Sequence, residues 1–131
     1  MVDKICDGLY ISDATTVISE EGKQRILELE ISHILTVSAT PIPESAKISN
    51  IYYKFIFMID MLSQNLLKNN LLDTALKYIE NVLNSGKSIL VHCEFGVSRS
   101  VTIITAYLMK KHKWNPSEAI LFIQINHPIA W

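Results

Sequence analysis

Short apolar runs rich in β-branched and aromatic residues predict β-strands along the chain. They occupy Gly8–Ile11, His33–Val37, Ile51–Ile59 and Ser88–His92. Residues 38–43 follow the second run and contain two prolines, which favour a loop over a continued strand. The third run is followed at once by Asp60. The pattern therefore predicts a sheet of several short strands.

Between and after these runs, apolar residues recur at helical spacing. Glu20–Leu29, Leu66–Leu83 and Val101–Lys111 are predicted helices, and a last one opens at Pro116 after Asn115 as its cap. Val101–Lys111 is apolar on nearly every side, which is typical of a central helix. Strands that alternate with helices predict an α/β fold with a small, mostly parallel central sheet flanked by helices.

Length and charge narrow the class of protein. The chain has 131 residues, 49% hydrophobic and 19% charged, with a formal net charge of -1. This length suits one compact domain, so residues 1–131 are expected to form a single catalytic or binding domain. Acidic and basic residues are mixed along the chain, and the net charge is close to zero. Such a chain is not expected to bind nucleic acid or an anionic membrane through its overall charge.

The cysteines are few, and no cofactor is predicted. Cys6 and Cys93 are the two cysteines, and no CxxC or Cys/His cluster indicates a metal site. The N-terminal segment lacks the apolar core of a signal peptide, and no apolar run reaches the ~18 residues of a membrane span. These features predict a reduced protein in the cytoplasm, with the nucleus as the alternative compartment.

The segment from Val91 to Ser100 (VHCEFGVSRS) carries the candidate chemistry. A loop between a buried strand and a buried helix can direct successive backbone N–H groups into one concavity, which binds a phosphate-sized anion. Gly96 allows the tight curl. The predicted phosphate-binding residues are Glu94, Phe95, Gly96, Val97, Ser98 and Arg99.

Side chains in this loop suggest a nucleophile and its helpers. A thiol at a helix N-terminus and beside Arg99 ionises readily, so Cys93 is the candidate nucleophile. The guanidinium of Arg99 suits two oxygens of a phosphoryl group. Ser100 can donate a hydrogen bond to the departing sulfur, and His92 can brace the loop. Each residue alone also has a purely structural interpretation. Cys93 could be an inert core thiol and Arg99 a surface charge. Ser100 could be a helix cap and His92 a core histidine.

The sequence HCEFGVSRS resembles the H-C-x-x-G-x-x-R-S signature loop of the protein tyrosine phosphatase superfamily. The flanking SILV and VTIITAYLMKK, and ICDGLYIS near the N-terminus, are similar to its dual-specificity branch. The subgroup that it resembles most is the one that carries a C-terminal zinc-binding domain, and no such domain is expected within residues 1–131. The resemblance implies the three-layer protein tyrosine phosphatase fold and a metal-free cysteinyl-phosphate mechanism.

The resemblance also implies a general acid on a loop before the nucleophile. Asp60 lies thirty-three positions before Cys93 (93 − 60) and matches that place. It would protonate the leaving oxygen and then activate water. Asp73 is the rival carboxylate, but it falls within a predicted helix.

Two departures from the family pattern stand out. Phe95 occupies a position where Ala is common, so a bulky ring is expected at the pocket rim. The chain stops at residues 129–131, where relatives continue into a further helical stretch, and His127-Pro128 replaces a commoner Arg-Pro. A truncated end and a specialised end are both consistent with this.

Three functions remain open from the sequence. The first is a phosphatase whose partner is a phosphorylated protein, on phosphotyrosine and phosphoserine or phosphothreonine. Glu94-Phe95 favours a protein substrate, because relatives specialised for lipids or RNA often carry basic residues there. The second is a phosphoprotein-binding module without turnover, and the third is a rhodanese-type sulfurtransferase.

Overall fold

The computed structural model describes residues 1–58, 70–94 and 98–127. Its centre is a five-stranded sheet in the order β1-β2-β5-β3-β4, in which only β1 runs antiparallel to its neighbour. The predicted α/β fold with a mostly parallel sheet is therefore confirmed. The strands are β1 (Asp3–Cys6), β2 (Leu9–Ser12), β3 (His33–Ser38), β4 (Tyr52–Phe57) and β5 (Ile89–His92).

Helices cover both faces of the sheet. They are α1 (Ala14–Ile18), α2 (Glu20–Glu28), α3 (Leu71–Asn84), α4 (Ser98–His112) and α5 (Pro116–Asn126), with a 3₁₀ turn at Glu44–Ala46. The α5 helix starts as predicted, because the Asn115 side chain accepts from the Glu118 amide and Glu118 bonds back to the Asn115 amide. This reciprocal pair satisfies two amides that have no partner inside the helix.

Side chains that alternate between the two faces of the sheet divide the hydrophobic core into two clusters. Leu9, Ile11 and Val91 pack in one cluster with α3, α4 and α5, whereas Tyr10 and Leu90 pack in another with residues of α1 and α2. Successive side chains of a strand point to opposite faces of a sheet, so each buried strand contributes to both clusters. The sheet is thus the middle of three layers.

A first strand was missed by the sequence pattern. β1 pairs with β2 through the turn at Asp7-Gly8, so Cys6 lies inside β1 rather than on the approach to a strand. Gly8 has φ +81, and a Cβ there would come within 2.8 Å of a Leu83 methyl carbon. The positive φ therefore favours glycine at this turn, and the Lys87 carbonyl oxygen, 3.1 Å from the position of such a Cβ, leaves little space for a side chain. The short helix α1 was also not predicted.

The predicted helix Leu66–Leu83 begins later than expected. Residues 66–69 lie outside the described residues, and α3 starts at Leu71 because Asn70 is left-handed at φ 54. Asn tolerates this conformation better than most residues, and a left-handed residue interrupts a right-handed helix. Among the described residues, no helix is both long and apolar enough to cross a bilayer.

Candidate functional site

The carboxyl ends of the four parallel strands meet at one edge of the sheet. β2 leads to Asp13, β3 ends at Ser38, β4 leads to Met58 and β5 leads to Cys93. Loops at this edge of an open α/β sheet are where such folds bind ligands, because the connections diverge there and leave a crevice. The predicted loop between β5 and α4 lies at this edge.

Cys93 and Ser100 lie together at the start of α4. Both residues are fully buried, and the Cys93 Sγ and Ser100 Oγ atoms are 3.7 Å apart, within hydrogen-bonding range of sulfur. Cys93 follows the last residue of β5, and α4 begins at Ser98. The sulfur is therefore placed close to the N-terminal turn of a helix, where backbone N–H groups favour negative charge.

Arg99 connects this turn to the end of β4. Its Nη1 donates a hydrogen bond of 2.8 Å to the Met58 carbonyl oxygen. The same nitrogen is 4.0 Å from a carboxylate oxygen of Glu94, and the Arg99 side chain is only 16% exposed. A guanidinium has five N–H donors, so these contacts leave donors for an anion.

His92 is buried between two strands and bonded on both ring nitrogens. Nδ1 is 3.3 Å from the Cys93 carbonyl oxygen, and Nε2 is 2.8 Å from the Thr36 hydroxyl. A carbonyl oxygen can only accept, so the neutral ring carries its proton on Nδ1 and the Thr36 hydroxyl donates to Nε2. His92 thus contacts the backbone of Cys93, and its role in bracing the catalytic loop stays a prediction.

Burial lowers the pKa of His92 to about 4, although the bond to the Cys93 carbonyl and the nearby Asp13 carboxylate oppose the shift. The imidazole is therefore neutral at physiological pH. The proton of the neutral ring is on Nδ1 and is used in the bond to the Cys93 carbonyl oxygen.

Asp13 caps α1 beside this pair. Burial alone would raise its pKa, but bonds from the Thr16 hydroxyl and amide hold the pKa below its ordinary value. Sequence reasoning did not select Asp13 or Thr36. Thr36 could have been selected because it is the one hydroxyl residue in the apolar run HILTV. A polar group buried in such a strand needs a hydrogen-bond partner.

Several predicted site residues lie outside the described residues. These are Asp60, Phe95, Gly96 and Val97, and Ser98 is described only as the first residue of α4. The rival carboxylate Asp73 lies in the first turn of α3, where it is 3.4 Å from the Lys77 ammonium. Its side chain is half-exposed in that pair, which is an ordinary surface arrangement on a helix.

The second cysteine is remote from the first. Cys6 pairs with Leu9, and Leu9 pairs with Ile89 on β5, four residues before Cys93. Two strand spacings sideways and four residues along a strand separate the cysteine Cα atoms by roughly 16 Å. A disulfide needs less than about 7 Å, so Cys6 cannot reach Cys93 in this fold. Burial raises the pKa of Cys6, which suits a structural thiol.

Metal-binding side chains are not clustered in the part of the chain that the structure describes. There, no group of three or more His, Cys, Asp or Glu residues could hold a metal ion.

Comparisons with known proteins agree on one family. A family model described as dual specificity phosphatase, catalytic domain, matches residues 9–130. Dual specificity protein phosphatase 1 of Arabidopsis thaliana is 34% identical over 123 residues, which are 94% of this chain and 59% of that protein. Dual specificity protein phosphatase 12 of Rattus norvegicus is 32% identical over 94% of this chain and 35% of its own length. The chain thus spans less than two thirds of either relative.

A solved structure extends the agreement to three dimensions. The Yvh1 phosphatase domain of Chaetomium thermophilum superposes with a TM-score of 0.82 at 26% identity, over all of this chain and 88% of that one. Because the identities to different relatives are similar, the subgroup with a zinc-binding domain remains a prediction. The matched segment includes the strand-loop-helix that carries Cys93 and the four parallel strands β2, β3, β4 and β5, whereas β1 precedes it. This chain therefore belongs to the dual-specificity phosphatase catalytic-domain family.

Proposed function

We propose that this chain hydrolyses phosphate monoesters on tyrosine and on serine or threonine side chains of proteins, with Cys93 as nucleophile. The observation that carries the proposal is the place of Cys93, at the end of a buried central strand and beside the first turn of α4, with Ser100 Oγ 3.7 Å from its sulfur. A thiolate there attacks an anion held by the same turn.

The proposed reaction has two balanced steps. The Cys93 thiolate forms a sulfur–phosphorus bond as the phosphorus–oxygen bond to the substrate breaks, and Asp60 gives its proton to the leaving oxygen. Asp60 then takes a proton from water, whose oxygen attacks phosphorus while the sulfur leaves as thiolate. A hydrogen bond from Ser100 stabilises the departing sulfur, and the products are the free hydroxyl and inorganic phosphate.

Arg99 is the proposed phosphate ligand in both steps. Its bond to the Met58 carbonyl fixes one part of the guanidinium and leaves other N–H groups for phosphoryl oxygens. Asp60 follows Met58 by two positions in the sequence. That proximity along the chain supports the assignment of Asp60 as the acid. His92 is proposed as a positioning residue that acts through the Cys93 backbone.

The proposed substrate is a phosphoprotein. Glu94 follows Cys93 directly, and its carboxylate lies 4.0 Å from the Arg99 guanidinium. It therefore offsets part of the positive charge that would attract highly charged lipid headgroups and RNA ends. We propose that residues 1–131 act as one catalytic domain. The separation of roughly 16 Å between the Cys6 and Cys93 Cα atoms excludes a disulfide between them in this fold, which is compatible with the reducing environment of the cytoplasm or the nucleus.

The test compares the two cysteines. Cys93→Ser should lose hydrolysis of a phosphotyrosine peptide entirely, since a serine hydroxyl does not ionise near neutral pH, and should still bind the peptide. Cys6→Ser is the matched control and should keep wild-type turnover. Wild-type activity should also persist in a metal chelator. Activity retained by Cys93→Ser, or lost in chelator and restored by zinc, would contradict the proposal.

A further inference from the structure

A small pocket lies beside the candidate catalytic loop on the side of α1. Its volume is about 150 Å³. The walls come from α1, from the loop after β3 and from the end of β5. The described lining residues are Ala14, Ile18, Ser38, Thr40, Pro41, Ile42, Pro43, His92, Cys93 and Glu94. Because Cys93 and Glu94 are among the lining residues, the pocket adjoins the candidate nucleophile, and a substrate bound at Cys93 would lie next to it.

The wall after β3 is held in place before any ligand binds. The Ser38 hydroxyl accepts a 3.0 Å bond from the Thr40 amide and donates to the Thr40 carbonyl oxygen. Pro41 and Pro43 each fix their own φ angle. Ligand pockets of proteins are usually preformed in this way, since less ordering is needed on binding.

The chemistry of the walls is selective. Ile18, Ile42 and the two prolines present apolar surface, and Ile18 is 47% exposed at the rim. Glu94 is the one charged side chain among the described lining residues. No lysine or arginine is among the described lining residues, and the Arg99 guanidinium, 4.0 Å from the Glu94 carboxylate, is the proposed ligand of the first phosphate. The described walls therefore offer a second anion no cation of their own and favour a neutral group.

We propose that this pocket binds an apolar side chain that flanks the phosphorylated residue of the substrate, and that it disfavours an acidic or second phosphorylated residue at the same position. A cavity of about 150 Å³ holds a group the size of benzene, which suits Leu, Ile, Met or Phe. The inference rests on the proposed phosphatase function and specifies its substrate class: singly phosphorylated segments with an apolar neighbour.

The experiment uses phosphotyrosine peptides that differ at one flanking position. Leu, Asn, Asp and phosphothreonine are placed in turn on either side of the phosphotyrosine, and kcat/KM is measured for each. Because a single pocket is proposed, the preference for an apolar residue should appear either before or after the phosphotyrosine, but not at both positions. There, the Leu peptide should exceed the Asp peptide by about tenfold or more, the scale on which apolar pockets discriminate. The phosphothreonine peptide should be poorer still.

Ile18→Lys tests whether this pocket is responsible. The new cation should cancel most of the Leu-over-Asp preference, which is a ratio of kcat/KM for two peptides on the same variant and so does not depend on a change in the basal rate. Leu27→Lys is the matched control: the same change at a 53% exposed position on α2. It should retain the wild-type preference. Equal rates for all peptides with wild type, or an undiminished preference in Ile18→Lys, would overturn the inference.

Failure of the proposed function gives a different result. If wild type hydrolyses no phosphate ester, the phosphatase proposal fails. The pocket is then judged by equilibrium binding of the same peptides to the wild type. Tighter binding of the Leu peptide that Ile18→Lys removes would support the pocket, and equal binding of all peptides would overturn it.

Discussion

Arg99 shows how the geometry of a single side chain can matter more than its charge. Its guanidinium bonds the Met58 carbonyl and lies 4.0 Å from the Glu94 carboxylate, so one planar group joins the end of β4 to the start of α4. A lysine would keep the charge, but it cannot make that bond and also hold two phosphoryl oxygens.

We therefore expect Arg99→Lys to lower kcat/KM for phosphopeptides by at least about a hundredfold, the usual cost of losing one transition-state donor. Arg25→Lys is the control, because Arg25 lies in an exposed 3.6 Å ion pair with Glu28 on α2. Near wild-type kinetics for Arg99→Lys would show that Arg99 does not bind the phosphate.

Asp60 is the residue whose role depends on the leaving group. Asp60→Asn keeps the size and polarity but removes the proton. An alkoxide from serine or threonine leaves poorly without that proton, whereas an activated phenolate needs it less. Turnover of a phosphoserine peptide should fall by about a hundredfold or more, and turnover of an activated aryl phosphate should fall much less.

The pH–rate profile gives a second readout of Asp60. The decline of activity with rising pH, where the acid loses its proton, should disappear in Asp60→Asn. Equal slowing of both substrates with an unchanged profile would make Asp60 structural, and Asp73 would then be the carboxylate to replace.

At the scale of the elements, the bond between Thr36 and His92 ties β3 to β5 directly under the catalytic loop. The two residues are partners in the parallel ladder, and both are at most 3% exposed. Loss of the hydroxyl in Thr36→Val would leave Nε2 buried and without its partner, which typically costs about 1–3 kcal/mol.

The low pKa of His92 makes stability depend on pH in a defined window. The folded protein binds a proton on His92 only near pH 4, whereas the unfolded chain binds it near the ordinary value of 6.5. The unfolded state therefore holds more protons between those values, and stability falls as the pH drops from 6.5 to 4.

The expected loss attributable to His92 is about 3 kcal/mol. Denaturant unfolding at several pH values gives the free energy of unfolding of wild type and of His92→Gln. The difference between the two proteins isolates the contribution of His92, because both carry the same carboxylates. NMR titration of the His92 ring in wild type is an independent check. A ring that titrates near pH 6.5 would contradict the burial argument.

The sequence predicts a strand or helix correctly where the apolar residues of its pattern are the ones that are buried in the core. β3, β5 and α4 were found because their apolar runs are buried, and α5 was found through Asn115 and Pro116. β1 was missed because an edge strand of four residues has little pattern, although Asp7-Gly8 is a common hairpin turn. The start of α3 was misplaced because Asn70 interrupts a pattern that apolar spacing alone continues.

At the scale of the whole molecule, the sheet brings distant segments to one edge. Cys93, Met58 and Thr36 come from three parallel strands or their ends, and Arg99 comes from the helix that follows. The signature loop was recognisable because its residues are contiguous. The Arg99–Met58 and His92–Thr36 contacts, separated by 41 and 56 positions, depend on strand order and could not be predicted from local pattern.

The fold also separates the two thiols. Cys6 lies towards the end of the sheet opposite Cys93, so the two cysteines cannot form a disulfide with each other in this fold. In the proposed mechanism, Cys93 forms its covalent bond with phosphorus. The resulting cysteinyl-phosphate intermediate can be observed directly.

The most direct measurement is to trap that intermediate. Wild type and Cys93→Ser are mixed with excess phosphotyrosine peptide, quenched with denaturant within milliseconds and mapped by mass spectrometry. We expect one phosphoryl group on Cys93 in wild type, formed no more slowly than steady-state turnover, and none in Cys93→Ser. Turnover of the peptide with no phosphate on Cys93, or with the phosphate on another residue, would contradict the proposed mechanism.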